Sequence, residues 1–197
     1  MEQNSNMEIL EGQIRELFGR VVWSHKTQEK CADILNSRNH CIKIIQIVLS
    51  ALTTTGILIT TFGHQMWVGI ISAIVSTLLL VLNSYVKNYN LGQIAQKHSD
   101  AAMKLWDIRE KYLSLLIDMK ANALTEHEVR NKRDALQKEL FMIYKGAERT
   151  ISKGYDEASK ALKMNEELTF SVEEIDRLLP KELRKKTNRQ SSKMEIL

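Results

Sequence analysis

The sequence predicts an all-α membrane protein in which an N-terminal amphipathic helix precedes a two-helix transmembrane hairpin and a cytoplasmic coiled coil or helical bundle. Residues 44–86 form a run of 43 residues without Asp, Glu, Lys or Arg. The chain has 1 Pro and 8 Gly, and no alternating apolar pattern typical of strands lies outside that run. These patterns predict an N-terminal cytoplasmic helix over 1–43, the hairpin over 44–86, a cytoplasmic helical domain over 87–180 and a basic disordered tail over 181–197.

The N-terminal segment has the spacing of an amphipathic helix. Its charges are balanced, with six basic and six acidic residues through Lys43, whereas a helix that binds anionic lipid is enriched in Lys and Arg. We therefore expect it to pack against the other cytoplasmic helices. The apolar residues that recur at helical spacing are Ile9, Ile14, Leu17, Phe18, Val21 and Val22.

The uncharged run is long enough for two membrane spans. A bilayer core of about 30 Å requires about 20 apolar helical residues, and Gly63 permits the chain to reverse between spans 44–62 and 66–86. Trp67 and Tyr85 bracket the second span about 27 Å apart, as interfacial aromatic residues do. The alternative, a hairpin in the core of a soluble helical protein, is disfavoured because such helices normally carry charges on a solvated face.

Basic residues flank the outer ends of both spans and are absent from the turn between them, which predicts that both termini face the cytoplasm. Cys31 and Cys41 then lie on the reducing side of the membrane, about 80° apart around one helix, so we expect free thiols. The basic residues nearest to the spans are Lys30, Arg38 and Lys43 before them and Lys87, Lys97 and Lys104 after them.

Small and polar residues follow one side of each span. Those of the first span, His64 included and Thr55 alone excepted, lie within an arc of about 120° that Ile57 interrupts, and those of the second span lie within about 60°. Such residues pack membrane helices closely; in an oligomer they would instead line a pore, with Ile57 as a hydrophobic constriction. The absence of intramembrane charge disfavours pump-like transport. The candidates for pore lining or helix packing are Gln46, Ser50, Thr53, Ile57, Thr60, Ser72, Ser76 and Asn83.

A heptad seam follows the second span, which is expected to run straight on into it with Gly92 as the only weak point. The seam either joins protomers or folds back within one protomer. The buried histidine it contains is either a core residue with a satisfied ring or a residue that sets register and oligomer number. The candidate oligomerisation seam comprises Leu91, Ile94, His98, Leu105, Ile108, Tyr112 and Leu115.

Two capping boxes mark later helices. Thr125 and Glu128 open one helix, and Ser171 and Glu174 open a short one that ends before Pro180. Gly154 is expected to break the chain between them.

The sequence contains none of the usual catalytic or metal-binding patterns, so we predict no enzyme activity and no cofactor. The 5 His and 2 Cys never take the spacing of a metal site, and no nucleophile has an adjacent base. A net charge of +4, largely balanced along the chain, gives little support to nucleic-acid binding.

The segments on either side of the hairpin carry a recognisable set of residues. They are Trp23, His25 and Ala32 before it, and Tyr89, His98, Ala101, Ala102 and the run from Leu105 to Tyr112 after it. In these residues the chain resembles the SLATT family of bacterial two-transmembrane effector domains, over roughly residues 10–165. The resemblance implies an effector of bacterial conflict systems, which is expected to form a homo-oligomer in the inner membrane and breach the bilayer when a nucleotide-messenger synthase or SLOG-type sensor signals. The alternative is a non-conducting membrane anchor for a cytoplasmic partner.

Overall fold

The structure is a computed structural model that describes residues 2–63, 65–180 and 184. His64 and, apart from Arg184, the predicted basic tail lie outside the described residues. Within them the chain is helical and has no strand, which confirms the predicted all-α class. The helices are α1 (Glu2–Gly63), α2 (Met66–Tyr89), α3 (Leu91–Lys120), α4 (Glu126–Gly146), α5 (Ser152–Lys163) and α6 (Val172–Leu178).

Helix α1 contains both the amphipathic segment and the first span. It has 62 residues, which corresponds to a rod about 93 Å long. No proline interrupts it, so its hydrogen-bonded backbone passes from the amphipathic segment into the apolar segment without a break. The amphipathic segment and the first span are therefore parts of one helix.

The second span does not run straight on, and the expectation that Gly92 is the weak point is wrong. The break is at Asn90, whose backbone has φ 25° and ψ 60°. The Asn90 side chain accepts a hydrogen bond from the Gln93 backbone N–H at 3.2 Å and so caps α3. Asparagine tolerates a positive φ and is a favoured N-cap, whereas Gly92 stays helical beside Asn39.

The hairpin formed by the end of α1 and by α2 stands apart from the protein core. Two helices are long and apolar enough to cross a membrane, and only 6% of the most apolar window of each is buried within the chain. The core of a soluble protein would bury most of such a segment. This exposure argues against the soluble-core alternative.

The helical bundle outside the hairpin is built around the N-terminal half of α1 and α3, which pack along each other. α5 lies against α1, and α4 lies mainly against α3. The predicted capping boxes of α4 and α6 are both present, and α6 ends before Pro180 as expected. The apolar core consists of Leu10, Ile14 and Val21 of α1, Leu105, Ile108, Tyr112, Leu115 and Met119 of α3, and Val129, Leu136 and Leu140 of α4.

Gly154 is not the break that the sequence suggested. The chain leaves the helical conformation after Gly146, and Gly154 lies inside α5, buried against Cys31 of α1. A Cβ atom at position 154 would overlap the Cys31 Sγ atom. Glycine is therefore required here by the close approach of two helices, and not by a turn.

We predict that Gly154→Ala lowers the free energy of unfolding of the bundle by about 1–3 kcal/mol, because the new methyl group overpacks the contact with Cys31. Gly12→Ala is the matched control: Gly12 also lies in a helix but has nothing within 4 Å, so this change is expected to stabilise by about 0.5–1 kcal/mol. Denaturant unfolding of the solubilised protein measures both.

Removal of the Cys31 sulfur should relieve the strain. The loss caused by Gly154→Ala is therefore expected to shrink when Cys31→Ala is already present. Equal losses in both backgrounds would show that the close approach does not account for the glycine.

Candidate functional site

The two spans contact each other through small residues. A Cβ atom on Gly56 of α1 would overlap the Ser72 hydroxyl of α2. One on Gly69 of α2 would come within 2.9 Å of Thr60 Cγ2 of α1. Close approach through small residues replaces the hydrophobic driving force that helices lack inside a bilayer.

Polar groups at this contact have partners within the hairpin. The hydroxyls of Thr53, Thr60 and Ser72 each donate to the carbonyl four residues earlier at 2.8 Å. Gln46 Nε2 donates to Asn83 Oδ1 at 2.6 Å and joins the ends of the two spans that lie nearer to the bundle. The structure therefore uses Gln46, Thr60, Ser72 and Asn83 in contacts within one hairpin, while their predicted part in a pore stays a prediction.

The remaining candidates lie along one outer edge of the hairpin. Ser50, Ile57 and Ser76 are exposed, and Ile57 has 55% of its surface exposed. This edge contains a groove of about 290 Å³ between the spans, which we call the polar edge groove. It is lined by Thr53, Ile57, Thr60, Thr61, Gly69, Ser72, Ala73 and Ser76.

The heptad seam lies inside a single protomer. His98, Leu105, Ile108, Tyr112 and Leu115 are buried in the bundle, where α3 packs against α1 and α4. Contact between protomers through these five side chains would require the bundle to open. Leu91 and Ile94, which are nearer to the break at Asn90, are half-buried.

A layer of polar side chains crosses the bundle on the membrane side of the apolar core. Four consecutive residues of α1, His25, Lys26, Thr27 and Gln28, are 4%, 8%, 4% and 5% exposed. Consecutive residues point to different sides of a helix, so α1 is enclosed at this level by several neighbours. We call this set, with its partners below, the polar layer.

The polar layer connects α1 to α3 and to the C-terminal segments. Lys26 Nζ lies 2.6 Å from Glu167 and 3.0 Å from Glu29. Gln28 donates to the Glu148 backbone carbonyl at 3.3 Å, and its side-chain oxygen is hydrogen-bonded to Nδ1 of His98. Of the two sequence alternatives for His98, the structure shows a buried core histidine with a partner in its own chain.

Burial sets the charge state of the layer. It lowers the pKa values of His25 and His98, and the nearby Glu29 and Glu148 oppose this only in part. Burial also tends to lower the pKa of Lys26, but hydrogen bonds from Lys26 to Glu167 and Glu29 raise it above the ordinary value. The layer thus holds neutral imidazoles beside a charged and paired lysine.

Aromatic contacts connect α1 to α5 at the edge of the polar layer. The Trp23 and Tyr155 rings lie 5.4 Å apart, and Lys163 Nζ lies 5.3 Å from the centroid of the Trp23 ring. Within the described chain, Nδ1 of His25 and Nε1 of Trp23 are buried without a hydrogen-bond partner. Such groups raise the free energy of the folded state, as does the Tyr112 hydroxyl, which is buried without a partner in the apolar core.

Residues that carry the sequence resemblance meet in and beside this layer, although they are far apart in the chain. His25 and Ala32 of α1 and Ala102 and Trp106 of α3 line one groove of about 680 Å³. Sequence reasoning missed Lys26, Gln28, Glu148 and Glu167. The available signal was the gap in the apolar stripe of α1 between Val22 and Cys31, where polar residues occupy positions that face other helices.

Metal-ligating side chains and cysteines indicate what chemistry the described residues could support. Among residues 2–63, 65–180 and 184, no three His, Cys, Asp or Glu side chains are grouped as metal ligands. Cys31 is buried and Cys41 is exposed, and both are free, as predicted. Burial raises the pKa of the Cys31 thiol, which makes it a poor nucleophile.

The exposed apolar hairpin joined to a helical bundle defines a two-span membrane protein with a helical domain outside the spans. The sequence profile of the SMODS and SLOG-associating 2TM effector domain family 4 matches residues 10–174, and the chain belongs to this family of membrane effectors. The family is the SLATT family that the sequence resembles, and it is not a known catalytic family. Neither the curated proteins nor the solved structures include a match to this chain.

We predict that the bundle loses stability as the pH falls below about 6.5, the ordinary pKa of histidine. His25 and His98 have lower pKa values when folded, so the unfolded chain takes up protons first and the free energy of unfolding decreases. Each histidine contributes at most about 1.4 kcal/mol per pH unit. Thermal unfolding of the solubilised protein between pH 7.5 and 5.5 measures this.

His98→Gln tests the assignment, because glutamine does not titrate and can still bond to Gln28. The variant is expected to have a shallower pH dependence than the parent protein. Parallel curves would contradict a contribution from His98.

Proposed function

We propose that the chain is an effector of the bacterial inner membrane that oligomerises and permeabilises or depolarises the membrane when a nucleotide-messenger synthase or a sensor protein activates it. The observation that carries the proposal is the polar edge groove, which exposes hydroxyl-bearing residues on a surface otherwise covered by Ile, Leu and Val. Family membership supports an effector that acts with SMODS or SLOG proteins.

A pore requires several copies of the hairpin. Two helices cannot enclose a water-filled path, and the seam between the two spans is already packed through Gly56 and Gly69. The exposed polar edge is the remaining surface from which a lumen can be built. In a ring of hairpins whose polar edges face the axis, Ser50 and Ser76 would contact water and Ile57 would form a narrow apolar ring that resists wetting.

The bundle supplies a way to control such a ring. α1 is continuous from the polar layer to the end of the first span, so a rotation of α1 in the bundle also rotates Ile57 about the helix axis. The unpartnered His25 and Trp23 nitrogens of the polar layer are groups to which a partner could offer hydrogen bonds on rearranging the bundle. The distribution of Lys and Arg supports an orientation with the bundle in the cytoplasm.

Ile57→Ser tests the proposed constriction. A polar side chain favours wetting of the apolar ring, so the variant is expected to depolarise cells severalfold faster than the parent protein at equal expression. A voltage-sensitive dye in bacteria and ion flux from liposomes give the two readouts. Leu78→Ser is the matched control, because Leu78 is 56% exposed on α2 and does not line the groove.

Equal effects of the two substitutions would contradict a lumen at the polar edge groove. Thr60→Leu is unsuitable for this purpose, because Thr60 contacts Gly69 and the larger side chain would separate the spans.

A non-conducting anchor for a cytoplasmic partner is the second candidate. The observation that favours it is that the hydroxyls along the spans, including Thr54, Thr61 and Thr77, donate to carbonyls of their own helices. Polar groups satisfied in this way tolerate lipid and need no lumen. Replacement of 44–86 by an unrelated two-span anchor would leave the activity of an anchor intact and abolish that of a pore.

A further inference from the structure

Helix α3 carries a second apolar stripe on the side opposite its buried seam. Met103, Trp106, Leu113 and Ile117 are 60%, 50%, 40% and 59% exposed. Together with Glu110 they follow one another at intervals of three and four residues, the spacing by which one helix meets another along a heptad seam. We call these five residues the outer stripe.

Two grooves adjoin the outer stripe, and both have walls from α1 and α3 alone. The groove beside Met103 and Trp106 has a volume of about 680 Å³ and reaches His25 and Lys26. The groove beside Ile117 has a volume of about 410 Å³ and is bordered by Phe18 of α1. A helix that packs against the outer stripe could therefore place large side chains in a groove at each end of the stripe.

The outer stripe is close to electrically neutral. Glu110, its only charged member, accepts hydrogen bonds from Arg109 Nη2 at 2.6 Å and Nε at 2.9 Å. When two identical surfaces dock in register, each charged residue lies opposite the same residue of the other copy. Like charges repel each other, so a charge at the centre of such a contact must be neutralised within its own chain. The Arg109–Glu110 pair meets that requirement.

The size of the stripe favours a partner held in the same membrane. Its four apolar side chains expose together roughly 400 Å², estimated from the full areas of large side chains, about half of the 800 Å² per partner that stable soluble complexes bury. A second copy of this chain has α3 joined to its own span through Asn90 alone, so its stripe runs in the same direction and at the same height. Confinement to one bilayer raises the effective concentration and offsets the small area.

We propose that the outer stripe docks in parallel and in register against the outer stripe of a second copy of this chain. The inference rests on the oligomer in the proposed function and identifies the contact that pairs two of its protomers, since a surface that docks on its own copy joins two chains. It leaves the buried seam, from Leu105 to Leu115, to hold each protomer together.

A disulfide reporter in native membranes tests the pairing. Met103→Cys is introduced in a Cys41→Ser background; the buried Cys31 is kept, and mild oxidation is applied. Parallel, in-register docking is expected to give a crosslinked dimer of the chain. A reporter at Phe141→Cys on α4, which is 63% exposed, is expected to give none.

Leu113→Glu with Ile117→Glu is expected to abolish the Met103→Cys dimer, because two pairs of like charges would face each other across the contact. The matched control is Phe141→Glu with Met142→Glu, which places the same charges on the exposed face of α4, where the native residues are 63% and 59% exposed. This control is expected to keep the dimer. Circular dichroism and thermal unfolding establish that both double variants fold.

The outcomes separate this inference from the proposed function. A Met103→Cys dimer that the stripe variant loses supports docking, whether or not the cells depolarise. Absence of the dimer, its persistence in the stripe variant, or a crosslink to a different protein overturns docking. Depolarisation without the dimer overturns docking alone, and a dimer in cells that never depolarise on activation counts against the pore alone.

Discussion

The continuity of helix α1 is the constraint on which the other elements depend. Its N-terminal half supplies one side of the apolar core and all four consecutive residues that begin the polar layer. Its membrane half supplies the glycine against which Ser72 packs. A single hydrogen-bonded helix therefore joins the bundle to the hairpin, where small residues set which side of the first span meets α2 and which side is left beside the polar edge groove.

The bundle has two kinds of interior with different consequences for stability. The apolar core around Leu105, Ile108 and Tyr112 is stabilised by removal of apolar surface from water. This contribution to stability does not depend on the direction of the contacts. The polar layer around Lys26 and His98 must instead satisfy directional groups, because a buried charge without a partner is strongly destabilising. Glu167 lies far along the chain from Lys26, so the layer also holds the segment after α5 in place.

The hairpin shows how one set of residues serves two requirements. Glycine and hydroxyl-bearing residues allow the spans to approach closely, and the hydroxyls return their hydrogen bonds to their own helix. The same composition continues around the helix to Ser50 and Thr61, outside the contact. Packing within the hairpin therefore explains the polar residues at the contact between the spans. The polar residues outside that contact face lipid or another protomer.

The sequence alone determined the elements, since each depends on local patterns: an uncharged run sets the spans, and capping boxes at Thr125 and Ser171 set two helix starts. It did not determine the break at Asn90, because a capping asparagine resembles any other polar residue in a helical stretch. The sequence also predicted a break at Gly154, whereas in the tertiary structure Gly154 lies at a contact between two helices.

Only the tertiary structure decided which apolar face of α3 is internal. The seam from His98 to Leu115 and the outer stripe from Met103 to Ile117 both have heptad spacing, and spacing carries no information about what lies opposite. The pairing of Gln28 with Glu148 and of Lys26 with Glu167 could likewise not be predicted from the sequence, because the two members of each pair are more than a hundred residues apart in the chain. Periodicity is a property of one helix, whereas burial depends on how several helices share the same space.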